Sequence, residues 1–393
     1  MQYSMLKRTW AEINLDNLCH NYKVIRERVS ESAKIMAVVK ADAYGHGDRY
    51  VSRTLESCGA DFFAVSNIEE ALSLRKNEIT KPILIFGITP VKYVSELSKL
   101  NITQTVFSKE YALELNECAK REGIEIECHL KLDSGMSRIG FMCESESDFN
   151  DALECYSLSN LKFTGVFTHF AVSDESGDLS REFTKAQFDK FIGFVNRLKS
   201  SGCDVGLVHC CNSAGVLSYP EFHLDLVRPG VILYGLNPSD ECVLNDLRPV
   251  MELKSVVSMV KNVPADTPVS YGRTFVTSRE STLATVCIGY ADGYPRALSN
   301  KGEVLIRGKR AKIAGRVCMD QIIVDVTGID GVCEGDVVTL FGRDGDEFIG
   351  TDELAKIDST IPYELICLIG KRVPRLYLKD NKAVDVVDIY FNI

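Results

Sequence analysis

Apolar residues in the first two thirds of the chain fall into short runs that alternate with stretches of helical period. The runs lie near 35–40, 62–66, 83–86, 104–107, 126–132, 163–168, 205–209 and 231–234. They are too short for helices and nearly continuous, as strands buried on both faces are. Helical patterns cover Ile68 to Arg75, Val91 to Leu100, Lys109 to Arg121 and Thr184 to Leu198. Two of them carry capping-box spacings, Ser66 with Glu69 and Thr184 with Gln187. Eight strands joined by helical crossovers predict an α/β fold, a (β/α)8 TIM-like barrel, over residues 11–240. An open doubly wound sheet is the competing arrangement.

Beyond residue 240 the rhythm changes. Pro238, Pro249, Pro264 and Pro268 punctuate a region without helix–strand alternation. Strand-like runs follow at Glu252 to Val260, Ser281 to Ile288, Glu303 to Ile306, Gln321 to Val326 and Val337 to Phe341, with one helical pattern at Asp352 to Asp358. This predicts a mostly β domain over 241–393, to which the N-terminal residues 1–10 are added.

A formal net charge of -10 argues against a nucleic-acid surface, which needs clustered Lys and Arg. No apolar stretch is long enough to span a bilayer, so no membrane partner is expected. The first residues lack the apolar core of a signal peptide, which points to the cytoplasm. The 14 cysteines then read as reduced thiols. None forms a C-x-x-C pair, and the adjacent ligands of His209-Cys210-Cys211 would point to opposite faces of a strand, so no metal is expected.

Chemistry in a barrel of this kind gathers at the C-terminal strand ends. Lys40 ends the run Ile35-Met36-Ala37-Val38-Val39 and opens Lys40-Ala41-Asp42-Ala43-Tyr44-Gly45-His46-Gly47, whose glycines read as a tight turn leading to a helix. A lysine pinned and partly desolvated there has a lowered pKa and is ready to condense with a carbonyl. For a lone lysine, a snorkelling side chain is the plainer reading. Other strand ends contribute too: Tyr44 near the first, Lys131, Asp133, Met136 and Arg138 at the fifth, His169 at the sixth, His209, Asn212 and Ser213 at the seventh, Arg228, Gly230 and Val231 at the eighth.

The segment Val38 to Gly47 resembles the pyridoxal-phosphate-binding signature of the alanine racemase family. Ser270-Tyr271-Gly272-Arg273, Ile288-Gly289-Tyr290-Ala291-Asp292-Gly293 and Gly315-Arg316-Val317-Cys318-Met319-Asp320 are similar to its C-terminal motifs, as are Ile361-Pro362-Tyr363-Glu364 and Arg372-Val373-Pro374-Arg375. The similarity runs in order over nearly the whole chain. The family's fold is a barrel followed by a β domain.

The resemblance implies an isomerase that interconverts L-alanine and D-alanine by a two-base mechanism, with pyridoxal 5'-phosphate on Lys40. Lys40 and Tyr271, the latter from a partner subunit, would be the two acid/bases, supported by His169, Arg228 and His209. A phenol ionises near pH 10, so Tyr271 needs help to lose its proton. Tyr44, Asn212, Ser213, Arg228, Gly230, Val231 and Tyr363 would hold the cofactor. The family places Arg228 against its ring nitrogen, where a permanent cation cannot readily give up a proton. Arg138 and the amide of Met319 would bind the substrate carboxylate. Lys131 is carbamylated in many relatives; here a plain ion pair with Asp133 stays open beside that reading. Asp174, Tyr290, Arg296 and Arg316 resemble residues of the access channel. The shared site implies a homodimer, and the family's usual role is supply of D-alanine for peptidoglycan and the cell wall.

Three other functions are weighed against this. A serine or broader amino-acid racemase is close, because a pocket rejects one extra hydroxyl poorly. A decarboxylase on the same barrel would carry a cysteine acid in a different C-terminal signature. A pyridoxal-phosphate carrier would lack the β domain, and with it Tyr271.

Overall fold

The structure, a computed structural model, describes residues 8–390, and it divides into two compact units. One unit comprises Leu18–Ala43 and Asp48–Arg248; the other takes in, among the described residues, 8–17, Tyr44–Gly47 and 249–390.

The first unit is built on a parallel sheet. Its strands run in the order Leu226–Val227, Lys34–Val38, Phe62–Val65, Ile83–Ile85, Ile102–Val106, Ile126–Asp133, Leu161–Phe167 and Leu207–His209. Where the two ends of this series meet, Asp225 N donates to Val208 O at 3.2 Å and Arg228 N donates to Cys211 O at 2.9 Å, so the sheet curls into a nearly closed barrel. The strands are mostly buried, as Ile35, Met36, Ala37 and Val38 illustrate, with exposed residues such as Lys34, Glu127 and Lys162 near their starts. Helices fill the crossovers. Lys109–Glu122 starts where Ser108 Oγ accepts from Tyr111 N, and it stops at Gly123, whose φ of 67° suits a residue without Cβ.

Three expectations need correction. The eighth strand is Leu226–Val227, whereas Val231–Tyr234 is a 3-10 turn. Pro229 has no N–H to continue a ladder, and the buried apolar run after it looks the same in sequence whichever backbone it adopts. The helix Ile68–Lys76 is capped by Asn67, not Ser66: Asn67 Oδ1 accepts from Glu70 N at 2.9 Å. Thr184 and Gln187 open no helix; both lie buried within Asp178–Ser200. A capping box and one face of a helix share the same three-residue spacing, and here the face prevails.

The second unit centres on a ten-stranded sheet. Its order is Glu347–Ile349, Val337–Asp344, Glu303–Ile306, Lys309–Ile313, Ile322–Asp325, Ser281–Val286, Met251–Val263, Trp10–Asn14, Arg375–Lys379 and Lys382–Val387. Met251–Val263 also pairs with Val337–Asp344, which bends the sheet back on itself. Trp10–Asn14 inserts between an antiparallel and a parallel neighbour, with Glu12 opposite Glu252 and Leu376. Residues 1–7, assigned to this domain from sequence, lie outside the described residues.

Tyr44–Gly47 is bound into the second unit by its backbone. Arg375 Nε and Nη2 donate to Gly45 O at 3.1 and 3.0 Å, and Tyr377 Oη donates to His46 O at 3.0 Å. A Cβ on Gly45 would stand 2.3 Å from Ile366 O, so only glycine allows this approach.

Candidate active site

Lys40 follows the first barrel strand and leads into an uncommon turn. Ala41, Asp42, Ala43 and Tyr44 all take left-handed φ values, between 53° and 55°. The expected glycine turn is therefore longer, and it starts on residues that carry a Cβ. Such a conformation costs about 1–2 kcal/mol per residue and persists only where surrounding bonds hold it. Ala43 N donates to Val39 O at 3.0 Å, and Asp42 Oδ1 accepts from Asp48 N at 2.9 Å.

Behind this rim lies a buried polar chain. Arg228, directly after the eighth strand, is almost wholly enclosed. Its Nη1 donates to His209 Nδ1 at 2.9 Å, and its Nη2 donates to Thr168 O at 2.7 Å and Cys210 O at 3.0 Å. His169 Nδ1 stands 3.5 Å from the same nitrogen. His209 Nε2 lies 2.9 Å from His129 Nδ1. An arginine can only donate, which fixes both rings. His209 Nδ1 must accept, so its proton sits on Nε2 and is donated to His129 Nδ1. His129 then keeps its proton on Nε2. Phe167 stacks on His209 with ring centroids 5.0 Å apart, and the Arg228 guanidinium lies 5.3 Å from the same phenyl ring.

The electrostatics agree with these proton positions. Burial, reinforced by Arg228, lowers the His129 pKa to about 3. Burial and Arg228 also hold His209 and His169 well below the ordinary imidazole value. His169 feels four cations, Arg228, Arg138, Lys131 and Lys40. Arg228 is lowered to about 10, chiefly by burial, and its electrostatic neighbours are Cys210, Cys211 and Arg138, with no carboxylate among them. It remains charged at neutral pH. A buried cation without a counter-ion is expensive unless a ligand supplies the negative charge.

Lys131 lies on the same barrel-facing side as His129, two residues along the strand. Its ammonium donates to Leu132 O at 2.7 Å and Ile139 O at 3.3 Å, and burial lowers its pKa to about 8. Asp133, the ion-pair partner that the sequence left open, makes no direct contact with this ammonium, although its charge partly offsets the burial. Asp133 instead accepts from the amides of Gly135, Ser137 and Arg138 at 2.9, 3.0 and 3.1 Å. That turn shapes the loop carrying Arg138, whose side chain is exposed. At the seventh strand, Asn212 Oδ1 accepts from Gly215 N at 2.9 Å and Ser173 Oγ at 3.0 Å, which makes Asn212 a helix cap. Ser213 Oγ accepts from Gly230 N at 2.8 Å, linking the loops after strands seven and eight next to Val231. Asp174 is half-buried in the loop after the sixth strand, and its carbonyl accepts from Ser239 Oγ.

The remaining sequence candidates belong to the other unit. Tyr44 and Tyr363 face each other with ring centroids 6.5 Å apart. Burial, with Tyr363 and Cys367 nearby, pushes the Tyr44 phenol up, so its hydroxyl keeps its proton. Tyr271 opens a short 3-10 turn and is 70% exposed. Ser270 Oγ donates to Arg316 O at 2.8 Å, and a Cβ on Gly272 would stand 3.2 Å from the Arg316 guanidinium carbon, so Arg316 backs the tyrosine turn. Met319 and Tyr290 are exposed, and Arg296 lies at the surface in its own short turn. Tyr290 N and Ala291 N donate to Cys318 O and Met319 O, both at 3.0 Å. Asp292 ties these loops together: its buried carboxylate receives both Arg8 nitrogens at 2.7 Å and Arg372 Nε at 2.6 Å. Arg372 also reaches Asp320 at 2.6 Å. Burial pushes the Asp292 pKa up, but the hydrogen bonds from Arg8, Arg372 and the Gly289 amide outweigh it and hold the group below the usual range.

His129 and Thr168 were not among the residues singled out from sequence. For His129 a signal existed: it shares a strand face with Lys131. No local signal marks Thr168, which contributes a carbonyl. No helix of the described residues is long and apolar enough to cross a membrane. No group of three or more His, Cys, Asp or Glu among them could hold a metal ion.

A barrel end that gathers cations and neutral imidazoles has the character of an enzyme site suited to anionic groups. Comparison with known proteins sharpens this class. The family model for the alanine racemase N-terminal domain matches residues 13–238, and that for the C-terminal domain matches 250–377. The chain belongs to the alanine racemase family. It is 42% identical over 389 residues to alanine racemase 2 of Caldanaerobacter subterraneus subsp. tengcongensis, covering 98% of each chain. It is 45% identical over 372 residues to the alanine racemase of Methanococcus maripaludis, covering 94% of this chain and 98% of that one. Among solved structures, alanine racemase of Clostridium difficile 630 superposes with a TM-score of 0.93 at 40% identity, covering 98% of this chain and 99% of that one. Alanine racemase from Bacillus anthracis, solved with bound L-Ala-P, gives 0.92 at 36% identity with the same coverage.

Proposed function

We propose that the chain is an alanine racemase that uses pyridoxal 5'-phosphate to interconvert L-alanine and D-alanine. The observation that carries this reading is the buried Arg228, a cation whose main electrostatic neighbours among the described residues include no carboxylate, in a pocket where four cations act on His169. Such a pocket suits a phosphorylated cofactor and a carboxylate substrate together. Lys40 would anchor the cofactor. Arg228 would face its ring nitrogen as a donor. Ser213, the Gly230 and Val231 backbone, Asn212, Tyr44 and Tyr363 would hold its phosphate. When bound, the cofactor supplies an electron sink that makes the α-proton of the amino acid removable.

The side chains then divide the proton work. Lys40 Nζ takes or returns the proton at the α-carbon on one face. Tyr271 Oη does so on the other, supplied by a second copy of the chain; its 70% exposure supports that assignment. His209 orients Arg228, and His169 beside it is neutral, so the fixed positive charge of Arg228 is what favours loss of the phenolic proton. Because arginine holds its own protons, it limits electron withdrawal from the ring and discourages side reactions such as transamination. Arg138 and the amide of Met319 bind the substrate carboxylate. Lys131, with its pKa lowered to about 8, is available for carbamylation, and the resulting anion would hold Arg138. Asp174, Tyr290, Arg296 and Arg316 line the access channel. Tyr271 and Tyr363 leave room for a methyl side chain, which favours alanine over serine. The working form is a homodimer in the cytoplasm, making D-alanine for the cell wall.

The test is conversion of L-alanine to D-alanine in heavy water by the cofactor-loaded protein, read by optical rotation and by deuterium at the α-carbon. Both signals are expected, and Tyr271→Phe is expected to suppress rotation change far more than exchange on one enantiomer. Full-speed racemisation by Tyr271→Phe would overturn the two-base assignment.

A further inference from the structure

We infer that Glu70 is a positioning residue for Lys40, a part it plays through the backbone. The inference rests on the reading of Lys40 as the reactive amine and deepens it. Glu70 Oε1 accepts from Ala41 N at 2.7 Å, and Glu70 Oε2 accepts from Ser66 N at 2.7 Å. Both are at the length of charge-assisted bonds. One carboxylate therefore joins the ends of two adjacent barrel strands, and one of the amides it holds directly follows Lys40.

Ladder geometry explains why a carboxylate is needed there. The first and second strands pair with Met36 opposite Phe62 and Val38 opposite Ala64, and the last rung is Val39 N to Ala64 O at 2.9 Å. Parallel spacing would put the next rung between Ala41 N and Ser66 O. Ser66 O is taken by Gly87 N at 3.1 Å, from the third strand's end. Ala41 has meanwhile turned left-handed, with φ 55° and ψ 51°. The lost rung would leave two amides at the mouth of the barrel with only water as a partner. Glu70 replaces it. It sits in the first turn of Ile68–Lys76, where the Asn67 cap fixes its backbone. The carboxylate thus sets the direction in which the chain leaves Lys40, and with it the base of that side chain. It touches no reacting atom by itself.

The test uses the cofactor-loaded enzyme with Glu70→Ala and Glu70→Gln. Glutamine keeps the shape but offers one oxygen for two amides. Two readouts are taken: amide hydrogen exchange at Ala41, and kcat separately from KM. Glu70→Ala is expected to speed Ala41 exchange at least ~10-fold, as loss of a charged hydrogen bond would. It is also expected to lower kcat by ~10-fold or more with KM little changed, since misplacement of a reacting group falls on the chemical step. Glu70→Gln should fall between the alanine variant and wild type in both. Should Glu70→Ala fail to fold, the same split is read from Glu70→Gln. A variant that melts earlier but keeps wild-type kcat and local exchange at Ala41 would reduce Glu70 to a structural strut and overturn the proposal. The exchange readout does not depend on which amino acid is racemised, so it survives a failure of the alanine assignment.

Discussion

Acid should weaken this protein well before its carboxylates titrate, and the cause is the buried imidazole pair. His129 and His209 are almost fully enclosed and neutral, with folded pKa values of about 3 for His129 and well below normal for His209. In the unfolded chain both titrate near 6.5. Because the folded values are the depressed ones, stability is full above the unfolded value and is lost as pH falls from there toward the folded values. Between pH 6.5 and 5.5 the unfolded state gains protons that the native state refuses. Linkage makes this worth about 1 kcal/mol per imidazole, or about 2 kcal/mol for the pair. Against a total stability of about 5–15 kcal/mol this is a large loss. His169, half-buried at the rim, adds to it in the same direction. The assay is urea unfolding at the two pH values for wild type and His129→Asn. The asparagine Oδ1 replaces Nδ1 as acceptor for His209 Nε2–H and carries no titrating group. Its pH-dependent loss should be about 1 kcal/mol smaller than that of wild type. Wild-type stability that is flat or rising toward pH 5.5, or a variant with an unchanged slope, would refute the neutral pair.

Two further outcomes follow from named contacts. Asp292→Asn leaves Arg8 and Arg372 facing a neutral amide where a buried carboxylate bound both; because both arginines are partly open to water, a loss of about 1–3 kcal/mol is expected, read by thermal melting. Wild-type stabilisation from Asp292 should itself fade only in strong acid, because its pKa is held below the usual range and stability is lost as pH falls through it. Gly45→Ala places a Cβ 2.3 Å from Ile366 O at a φ of 79°, so it should destabilise by more than 1 kcal/mol, again by melting, where a surface change would stay within ~0.5.

Much of this architecture is legible in the chain itself. Strands such as Lys34–Val38 and Phe62–Val65 are apolar on both faces over most of their length because parallel barrels bury both, and that run survives in the sequence as a block. The C-terminal strands near Glu303–Ile306 and Ser281–Val286 were equally clear. Val231–Tyr234 is a turn where the sequence predicts a strand, because a buried 3-10 turn and a buried strand share one composition. The caps slipped because Asn67 and Ser66 are both good acceptors and only the backbone decides between them. Sequence spacing also leaves the Lys131–Asp133 relation open, because a carboxylate at a strand end can turn to nearby amides, as Asp133 does to three. Strand alternation places His129 on one face with Lys131, but its contact with His209, 80 residues away, has no local pattern to announce it.

The barrel wall is thinnest where its last strand meets its seventh. Leu226–Val227 is only two residues long, and its link to Leu207–His209 rests on a few bonds from Asp225 and Arg228 rather than on a ladder. The Ser213 hydroxyl and Gly230 amide bridge the loops just above that seam. Any anion seated across those loops would act as a clasp on the cylinder, so that occupancy and closure rise together by mass action. Emptying the pocket should let this seam breathe first, before any other part of the wall opens.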